Sequence, residues 1–503
     1  MSTTDFGTPD VIVVGAGNAA CCAAFAAREA GASVIMLEAA PLDDCGGNSR
    51  YTGGLMRVVY NGVDDLAQII PDLTEQEKKT HDYGSYTAEA YYDDMGRITQ
   101  YRTDPDLCQI LIERSFETLV WLRKKGVKFQ ASYGRQSYKI DNGTRYKFWG
   151  GLAAETWGGG AGLIENEHKA CEREGIKIFY ETPAIGLITN DDGVVLGVRA
   201  RHKGKKVEIR AKSVVLACGG FESDAEMRAR YLGPGWDLAK VRGTRYNTGL
   251  GIKMALDIGA MPYGHWSGCH AVGWDLNAPP FGDVNVGDQF QKHSYPWGIM
   301  INANGERFVD EGADFRNYTY AKYGRVILNQ PGMFAWQVFD QKLIPMLRDE
   351  YRIKQVTKVR ANTLEELVQK MEGVNAERAL EEIKEYNKAV QDDNKFNMAI
   401  KDGRRTQGLK IDKTNWANRL DEPPYEAYAV TCGVTFSFGG LKITNDAEVE
   451  DTGGKPIPGL YAAGELVGGI FYHNYPGGTG LTSGAVFGKI AGTSAAAFVK
   501  SAK

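Results

Sequence analysis

Short apolar runs that end in glycine or an acidic residue alternate with longer segments of helical spacing. The first run, residues 10–14, is followed by the glycine-rich turn 15–20 and by small residues up to Gly31. A second apolar run, residues 33–37, ends at Glu38. Because short apolar runs bounded by turn residues are typical of buried strands, this segment predicts strand, turn, helix and strand.

Two later runs repeat the first pattern, at residues 213–220 and 459–465, where an apolar strand enters a glycine turn. Residues 71–125 have the apolar spacing of packed helices, and residues 481–498 form a last helix rich in Ala and Gly. The alternation of strands and helices predicts an α/β fold with a Rossmann-like nucleotide-binding domain.

The pattern changes at about residue 279, which indicates a separate small domain. Residues 295–302 alternate, and two helices follow. The first has a capping box at Thr363 and Glu366, and the second is amphipathic over residues 380–390. We therefore predict an inserted α+β capping domain. The predicted divisions are 1–282 and 433–503 for the nucleotide-binding domain and 283–432 for the capping domain.

Residues 137–162 are rich in glycine and aromatic side chains, and we expect them to form a long loop. Loops of this length inside a compact domain are usually functional. The sequence therefore predicts a loop that covers a ligand.

Composition excludes several classes of function. The chain has 503 residues, with 59 basic and 63 acidic side chains, so it lacks the positive field that gathers nucleic acid. No apolar run reaches the roughly 18 residues that span a bilayer, and residues 1–10 lack the basic region of a secretory signal. We expect a cytoplasmic protein without a membrane span. The eight cysteines have no C-x-x-C spacing, so we expect no metal, haem or iron–sulfur site.

The turn after the first strand has the chemistry of a dinucleotide site. It has the pattern G-x-G-x-x-A from Gly15, and Glu38 lies 21 positions after Gly17 at the end of the second strand. Glycines let the backbone approach a pyrophosphate, and the helix N-terminus offers it free N–H groups. An acidic side chain at Glu38 can accept the ribose hydroxyls.

Together, the glycine motifs resemble the fumarate reductase and succinate dehydrogenase flavoprotein family over nearly the full chain. Five motifs in order carry the resemblance: residues 15–20 with Glu38; residues 46–49 with Gly53 and Gly54; residues 214–221; residues 248–255; and residues 459–465. The resemblance implies FAD in an extended pose on a glutathione-reductase-like domain. The cofactor-binding residues we predict are Gly15, Gly17, Asn18, Ala19, Glu38, Ala39, Gly46, Gly47, Asn48, Ser49, Thr52, Gly53, Gly54, Ala184, Ala217, Gly219, Gly220, Gly464, Glu465, Gly480, Leu481 and Ser483.

The mode of FAD attachment follows from one segment. Relatives that bind FAD covalently carry a histidine in the segment that matches residues 46–54, and this sequence has none there. We therefore predict non-covalent FAD.

The resemblance also implies catalytic residues. His270 occupies the place of a histidine that holds a substrate carboxylate, and Arg316 that of the proton-transferring arginine. Without the resemblance, His270 is equally consistent with a core imidazole and Arg316 with a salt-bridged surface side chain. Where fumarate reductases have histidines and an arginine, this chain has Thr435-Phe436 and Tyr475. Residues 475–478 and the segments around His270 and Arg316 are most similar to the tricarballylate dehydrogenase branch.

We therefore predict an FAD-dependent dehydrogenase that oxidises a C–C bond next to a carboxylate in a small polycarboxylate, converting tricarballylate to a cis-aconitate type of product. The predicted catalytic residues are His270, Arg316 and Tyr475, and the predicted substrate-binding residues add Thr435 and Gly478. The alternatives are a 3-ketosteroid 1-dehydrogenase, a fumarate-type reductase and a flavin subunit that only passes electrons. The resemblance implies a separate electron acceptor, an iron–sulfur protein at the membrane or a quinone.

Overall fold

The computed structural model describes residues 5–140 and 144–501. Its strands are β1 (Val11–Val14), β2 (Val34–Leu37), β3 (Phe129–Ala131), β4 (Ser137–Ile140), β5 (Arg145–Phe148), β6 (Ala154–Thr156), β7 (Lys177–Phe179), β8 (Ala184–Thr189), β9 (Val195–His202), β10 (Lys205–Arg210), β11 (Ser213–Leu216), β12 (Lys240–Val241), β13 (Pro262–Asp275), β14 (Ile299–Asn302), β15 (Ala335–Phe339), β16 (Lys358–Ala361), β17 (Tyr425–Leu441), β18 (Glu448–Glu450) and β19 (Pro456–Ala462). Its α-helices are α1 (Asn18–Glu29), α2 (Val63–Ile69), α3 (Glu75–Thr80), α4 (Ala88–Thr99), α5 (Pro105–Lys124), α6 (Tyr133–Gln136), α7 (Gly159–Arg173), α8 (Ala225–Met227), α9 (Leu250–Leu256), α10 (Tyr320–Leu328), α11 (Leu364–Lys370), α12 (Ala376–Ala389) and α13 (Thr479–Ser501).

The central sheet has the order β18-β19-β11-β1-β2-β7, and all its strands except β18 are parallel. Val13 lies between Val215 of β11 and Met36 of β2. The strands β1, β2 and β11 are buried along their whole length, which explains their unbroken apolar runs. The strands predicted at residues 10–14, 33–37, 213–220 and 459–465 are confirmed.

The first and last helices, α1 and α13, pack closely side by side. A Cβ at Gly488 would lie 2.5 Å from the carbonyl oxygen of Ala19, and one at Gly492 would overlap the carbonyl oxygen of Ala23. Asn18 Nδ2 also donates to the carbonyl oxygen of Leu481 over 2.8 Å. The small residues therefore bring the N-termini of both helices to the same edge of the central sheet.

The second large sheet is built around the 17-residue strand β17, which pairs with β12, β13, β15 and β16. Two smaller hydrophobic cores lie within residues 297–429, apart from the main core. Both predicted helices of this region are present, and Thr363 Oγ1 accepts from the N–H of Glu366 over 3.1 Å. Because β17 runs across residue 432, the chain leaves this part along one continuous strand.

The expectation of a long loop over residues 137–162 is wrong for most of its length. Strands β4 and β5 pair antiparallel, β6 pairs with β3, and α7 begins at Gly159. Residues 141–143 lie outside the described residues. Trp149, which follows β5, packs on the ring of Phe315 with ring centroids 4.8 Å apart. The aromatic residues of this segment therefore support the segment that carries Arg316.

Glu167, on α7, is a buried carboxyl group whose two oxygens have no hydrogen-bond partner among the described residues. Burial raises the pKa of Glu167 well above its usual value, so the folded state holds a proton that the unfolded state loses above about pH 4.5. Stability attributable to this group is present at low pH and is lost as pH rises towards its folded pKa.

Replacement of Glu167 by methionine is therefore expected to raise the free energy of unfolding by about 1–3 kcal/mol at pH 8, because it removes an unsatisfied buried polar group. The gain should be smaller at pH 5. Urea unfolding at both pH values measures it, with Glu165→Met as the control because Glu165 is on the same helix and exposed. An equal or lower stability of Glu167→Met at pH 8 would contradict this account.

Within the described residues, no helix has both the length and the apolar character needed to cross a bilayer. The same residues contain no group of three or more His, Cys, Asp or Glu side chains arranged to hold a metal ion. All eight cysteines are free thiols.

Candidate active site

A cleft of about 1410 Å³ opens where the carboxyl ends of the parallel strands meet the N-termini of α1 and α13. Crevices at this edge are where open α/β sheets bind ligands. The predicted cofactor-binding residues that line it are Gly15, Gly17, Asn18, Ala19, Glu38, Ala39, Gly47, Asn48, Ser49, Thr52, Gly53, Ala184, Ala217, Gly219, Gly464, Glu465, Gly480 and Leu481.

The remaining predicted cofactor residues, Gly46, Gly54, Gly220 and Ser483, do not line the cleft. The three glycines lie behind its wall. A Cβ at Gly46 would lie 2.7 Å from Ile164 Cγ2, and Cβ atoms at Gly54 and Gly220 would overlap the hydroxyls of Thr156 and Ser437. In the structure these glycines allow close packing of the wall and do not themselves face the cleft.

The turn between β1 and α1 has the features that a pyrophosphate requires. Gly15 has a φ of +114°, and a Cβ there would overlap the carbonyl oxygen of Ala217. The helix α1 has no side-chain cap at its N-terminus and no acidic residue in its first turn. The N–H of Asn18 donates to Ser49 Oγ over 3.1 Å. The N–H groups of Ala19 and Ala20 and the partial positive charge of the helix N-terminus therefore remain for an anionic group.

Glu38 lies at the end of β2 with only 5% of its surface exposed. Its Oε1 accepts a hydrogen bond from the N–H of Ala40 over 2.8 Å. Burial raises the pKa of Glu38 to about 7. Hydroxyl donors from a ribose would compensate for the lost hydration, so this wall of the cleft fits the adenosine half of FAD.

A second carboxyl group, Glu222, was missed by sequence reasoning. Its Oε1 accepts from Asn48 Nδ2 and from Asn247 Nδ2, each over 2.6 Å. Burial and the neighbouring Glu222 raise the pKa of Glu465 well above its usual range. Only Glu465 belongs to a recognisable motif, and the sequence has no signal that brings Glu222 beside it.

His270 and Tyr475 meet at the opposite end of the cleft. Their rings stack with centroids 4.7 Å apart at 27°. The Tyr475 hydroxyl accepts from the N–H of Gly480, in the first turn of α13, over 2.8 Å and therefore keeps its own proton available. His270 Nε2 is buried without a partner among the described residues, and burial lowers the pKa of this imidazole well below its usual value. The structure thus brings an uncharged imidazole and a phenol together at this end.

Two further predicted substrate-binding residues, Thr435 and Gly478, form hydrogen bonds within the protein. Thr435 lines the cleft, but its hydroxyl donates to the carbonyl oxygen of Arg242 over 2.6 Å, so towards a ligand it can only accept. Gly478 has a φ of +81°, and its carbonyl oxygen accepts from the N–H of Arg57 over 3.1 Å.

Arg316 does not line the cleft. It lines a second space of about 460 Å³ that adjoins the cleft. The residues that line both spaces are Gly53, Leu55, Arg242, Tyr320 and Gly478. The guanidinium of Arg316 donates to His293 Nδ1 over 3.4 Å and to the carbonyl oxygen of Arg135 over 3.1 Å, and its Nε is buried without a partner among the described residues. Burial, with the nearby Arg348, lowers the pKa of Arg316 to about 10. Arg316 is therefore a cavity residue and not a surface arginine held by a carboxylate.

We call this adjoining space the arginine cavity. Its charged lining residues are Arg135, Arg242, Arg316, Arg348, Asp288 and Glu350. Arg135 forms a two-pronged ion pair with Asp288, over 2.7 and 3.0 Å, and Arg242 Nη2 lies 4.0 Å from the same carboxylate. Four guanidinium groups thus face two carboxylates. These residues come from separate segments with no shared motif, so sequence reasoning found only Arg316.

The carbonyl oxygen of Arg135, on the short helix α6, accepts hydrogen bonds from side chains of two separate segments. It accepts from Arg316 Nη2 and also from Arg348 Nη1, the latter over 2.7 Å. Arg348 also donates to the carbonyl oxygen of Gly134 over 3.1 Å. One turn of backbone therefore holds both arginines at the wall of the arginine cavity.

Comparison of the sequence and the fold with those of known proteins identifies the family. Residues 10–481 match the family described as FAD binding domain. A probable fumarate reductase, Ifc3, of Shewanella frigidimarina is 32% identical over 97% of this chain and 75% of its own length. The open conformation of a flavocytochrome c3 fumarate reductase has a TM-score of 0.73 and 28% identity, covering 98% of this chain and 79% of that one.

A third similarity concerns the fold alone. A 3-ketosteroid Δ1-dehydrogenase from Sterolibacterium denitrificans has a TM-score of 0.72 at 21% identity, covering 99% of this chain and 100% of that one. The cleft, its free helix N-terminus and the buried Glu38 fit the cofactor of these proteins. The chain belongs to the FAD-binding family that includes the fumarate reductases, and it is an FAD-dependent oxidoreductase of carbon–carbon bonds.

Proposed function

We propose that this protein oxidises a C–C single bond next to a carboxylate in a small polycarboxylic acid, with tricarballylate to cis-aconitate as the model reaction. The observation that carries the proposal is the charge of the arginine cavity. Its four arginines exceed its two carboxylates by two positive charges, in a space of about 460 Å³ beside the cleft. The carboxylates of a small polycarboxylate would offset this excess, because guanidinium groups bind carboxylates through paired charge-assisted hydrogen bonds.

The same cavity argues against a steroid substrate. A steroid needs a broad apolar surface, whereas the arginine cavity is lined by Arg135, Arg316, Arg348 and Glu350. The transfer of these charges from water to an apolar ligand would leave them without compensation.

FAD, when bound, supplies the acceptor for the hydride that leaves the substrate. The residues of this chain position the acid and stabilise charge. Tyr475 can donate its free proton to a substrate oxygen, because its hydroxyl oxygen already accepts from Gly480. His270 is uncharged and adds a second neutral hydrogen-bonding group beside it. These groups would stabilise the enolate-like charge that forms as the α-proton leaves towards the arginine cavity, which contains Arg316.

We expect that anaerobic titration of the purified holoenzyme with tricarballylate bleaches the flavin absorbance. Androst-4-ene-3,17-dione should leave the absorbance unchanged, because most residues that line the arginine cavity are charged or polar. Butyrate is the matched control for charge, since it offers one carboxylate. Bleaching by the steroid and not by tricarballylate would replace this proposal with the steroid alternative.

The relatives named as reductases favour a second candidate, the reverse reaction on the same kind of bond. The same residues would serve it, because a catalyst lowers the barrier in both directions. An assay in which fumarate or cis-aconitate oxidises a reduced dye through the enzyme decides between the directions.

We further propose that electrons leave through a separate acceptor, an iron–sulfur protein at the membrane or a quinone. FAD is proposed to be non-covalent, because residues 46–54 contain no histidine.

A further inference from the structure

We propose that His293, which no motif singles out, is the residue that exchanges a proton with the substrate, and that Arg316 acts behind it as the proton reservoir. The proposal rests on the proposed function, since it assigns the proton step of that reaction.

The contact with Arg316 fixes the tautomer of His293. A guanidinium group can only donate, so His293 Nδ1, 3.4 Å from Arg316 Nη1, is the acceptor. The neutral imidazole then carries its proton on Nε2. This Nε2 is buried without a partner among the described residues, in a side chain that lines the arginine cavity. A buried donor of this kind requires a partner, and a substrate in the cavity would provide one.

The surroundings keep the ring uncharged. Tyr320 packs edge-on against it, with ring centroids 5.0 Å apart. Burial, followed by the positive charge of Arg316, lowers the pKa of His293 well below its usual value. The charged and titratable groups that face His293 across the cavity and its walls are Arg242, Arg316, Arg348, His270, Tyr320, Asp288 and Glu350. A neutral imidazole can give a proton at one nitrogen while it takes one at the other, so it can pass a proton between the substrate and Arg316.

The proton step balances without a change in the charge of the imidazole. The tautomer described above, with a charged Arg316 and the proton on Nε2, is the state that follows oxidation and precedes reduction. Before oxidation, Arg316 is uncharged and His293 carries its proton on Nδ1. The substrate C–H bond breaks, its proton forms a bond to Nε2, and the Nδ1 proton passes to Arg316. The α-carbon keeps the electron pair, which forms the new C=C bond as the neighbouring carbon loses a hydride to FAD. In the reduction the same protons move in the opposite direction.

Replacement of His293 by glutamine separates this role from a structural one. Gln Oε1 can still accept from Arg316 and Nε2 can still donate into the cavity, but an amide cannot relay a proton. We expect the dissociation constant for tricarballylate, measured from the shift of the flavin spectrum, to stay within about threefold. The rate of flavin reduction at saturating tricarballylate should fall by about 10²–10⁴-fold.

His202→Gln is the matched control, because His202 lies on β9 and lines neither cavity. It should leave both values unchanged. A His293→Gln variant that binds tricarballylate and reduces its flavin at the wild-type rate would overturn the relay alone. So would a variant that loses only affinity, since His293 would then be a binding residue. If tricarballylate and the other acids fail to reduce the wild-type flavin in either direction, the relay falls together with the proposed function.

Discussion

Replacement of Arg316 by glutamine is expected to slow flavin reduction by tricarballylate by about a thousandfold or more. Arg316 is the proposed proton reservoir, and it becomes positively charged in the arginine cavity as it accepts the proton. General acid–base catalysis contributes about 10²–10⁴-fold, and loss of a charge that stabilises the transition state adds to it. Anaerobic stopped-flow spectroscopy measures the rate. Bound FAD should remain unchanged, because Arg316 does not line the cofactor cleft.

The pH dependence of the same reaction gives a second readout. In the proposed relay, oxidation requires uncharged Arg316, and the pKa of this residue is lowered to about 10. The wild-type rate should therefore rise roughly tenfold per pH unit above pH 7 and level off near pH 10. Arg316→Gln should lose this rise. Arg352→Gln is the control, because Arg352 is exposed and paired with Asp349. A wild-type rate that is flat between pH 7 and 9 would contradict the role of Arg316 as reservoir.

Replacement of Gly15 by alanine is expected to give a protein that contains almost no FAD. Gly15 has a φ of +114°, and its new Cβ would overlap the carbonyl oxygen of Ala217 on the neighbouring chain segment. Relief of this overlap must move the turn that carries the free N–H groups of α1. The ratio of flavin absorbance to protein absorbance after purification measures the loss.

Gly31→Ala is a control matched in backbone conformation. Gly31 has a φ of +88°, but a Cβ there would meet no atom within 4 Å. It should cost only about 1–2 kcal/mol of strain and keep its flavin. Full FAD content in Gly15→Ala, measured against this control, would show that the turn tolerates the overlap and that its role is misassigned.

The sequence was most informative where the structure depends on neighbours along the chain. The strands β1, β2 and β11 are buried on both faces, so their apolar runs are unmistakable, and the turn at Gly15 follows directly from them. The expected loop over residues 137–162 was wrong because strands β4 and β5 are only four residues long and only partly buried. Their polar and apolar residues alternate over too short a stretch to distinguish two strands from a loop rich in glycine and aromatic residues.

The arginine cavity could not be predicted, because its groups meet only in three dimensions. Arg135, Arg242, His293 and Arg348 lie on four segments up to 213 residues apart. None of these four residues lies in a sequence motif that indicates a binding site. The family resemblance supplied Arg316 and His270, but it carried no information about the side chains that set the pKa of Arg316.

The shared acceptor on α6 couples the positions of two arginines that lie far apart in the sequence. Arg316 and Arg348 both donate to the carbonyl oxygen of Arg135. A rearrangement of this single turn would therefore reorient both guanidinium groups at once.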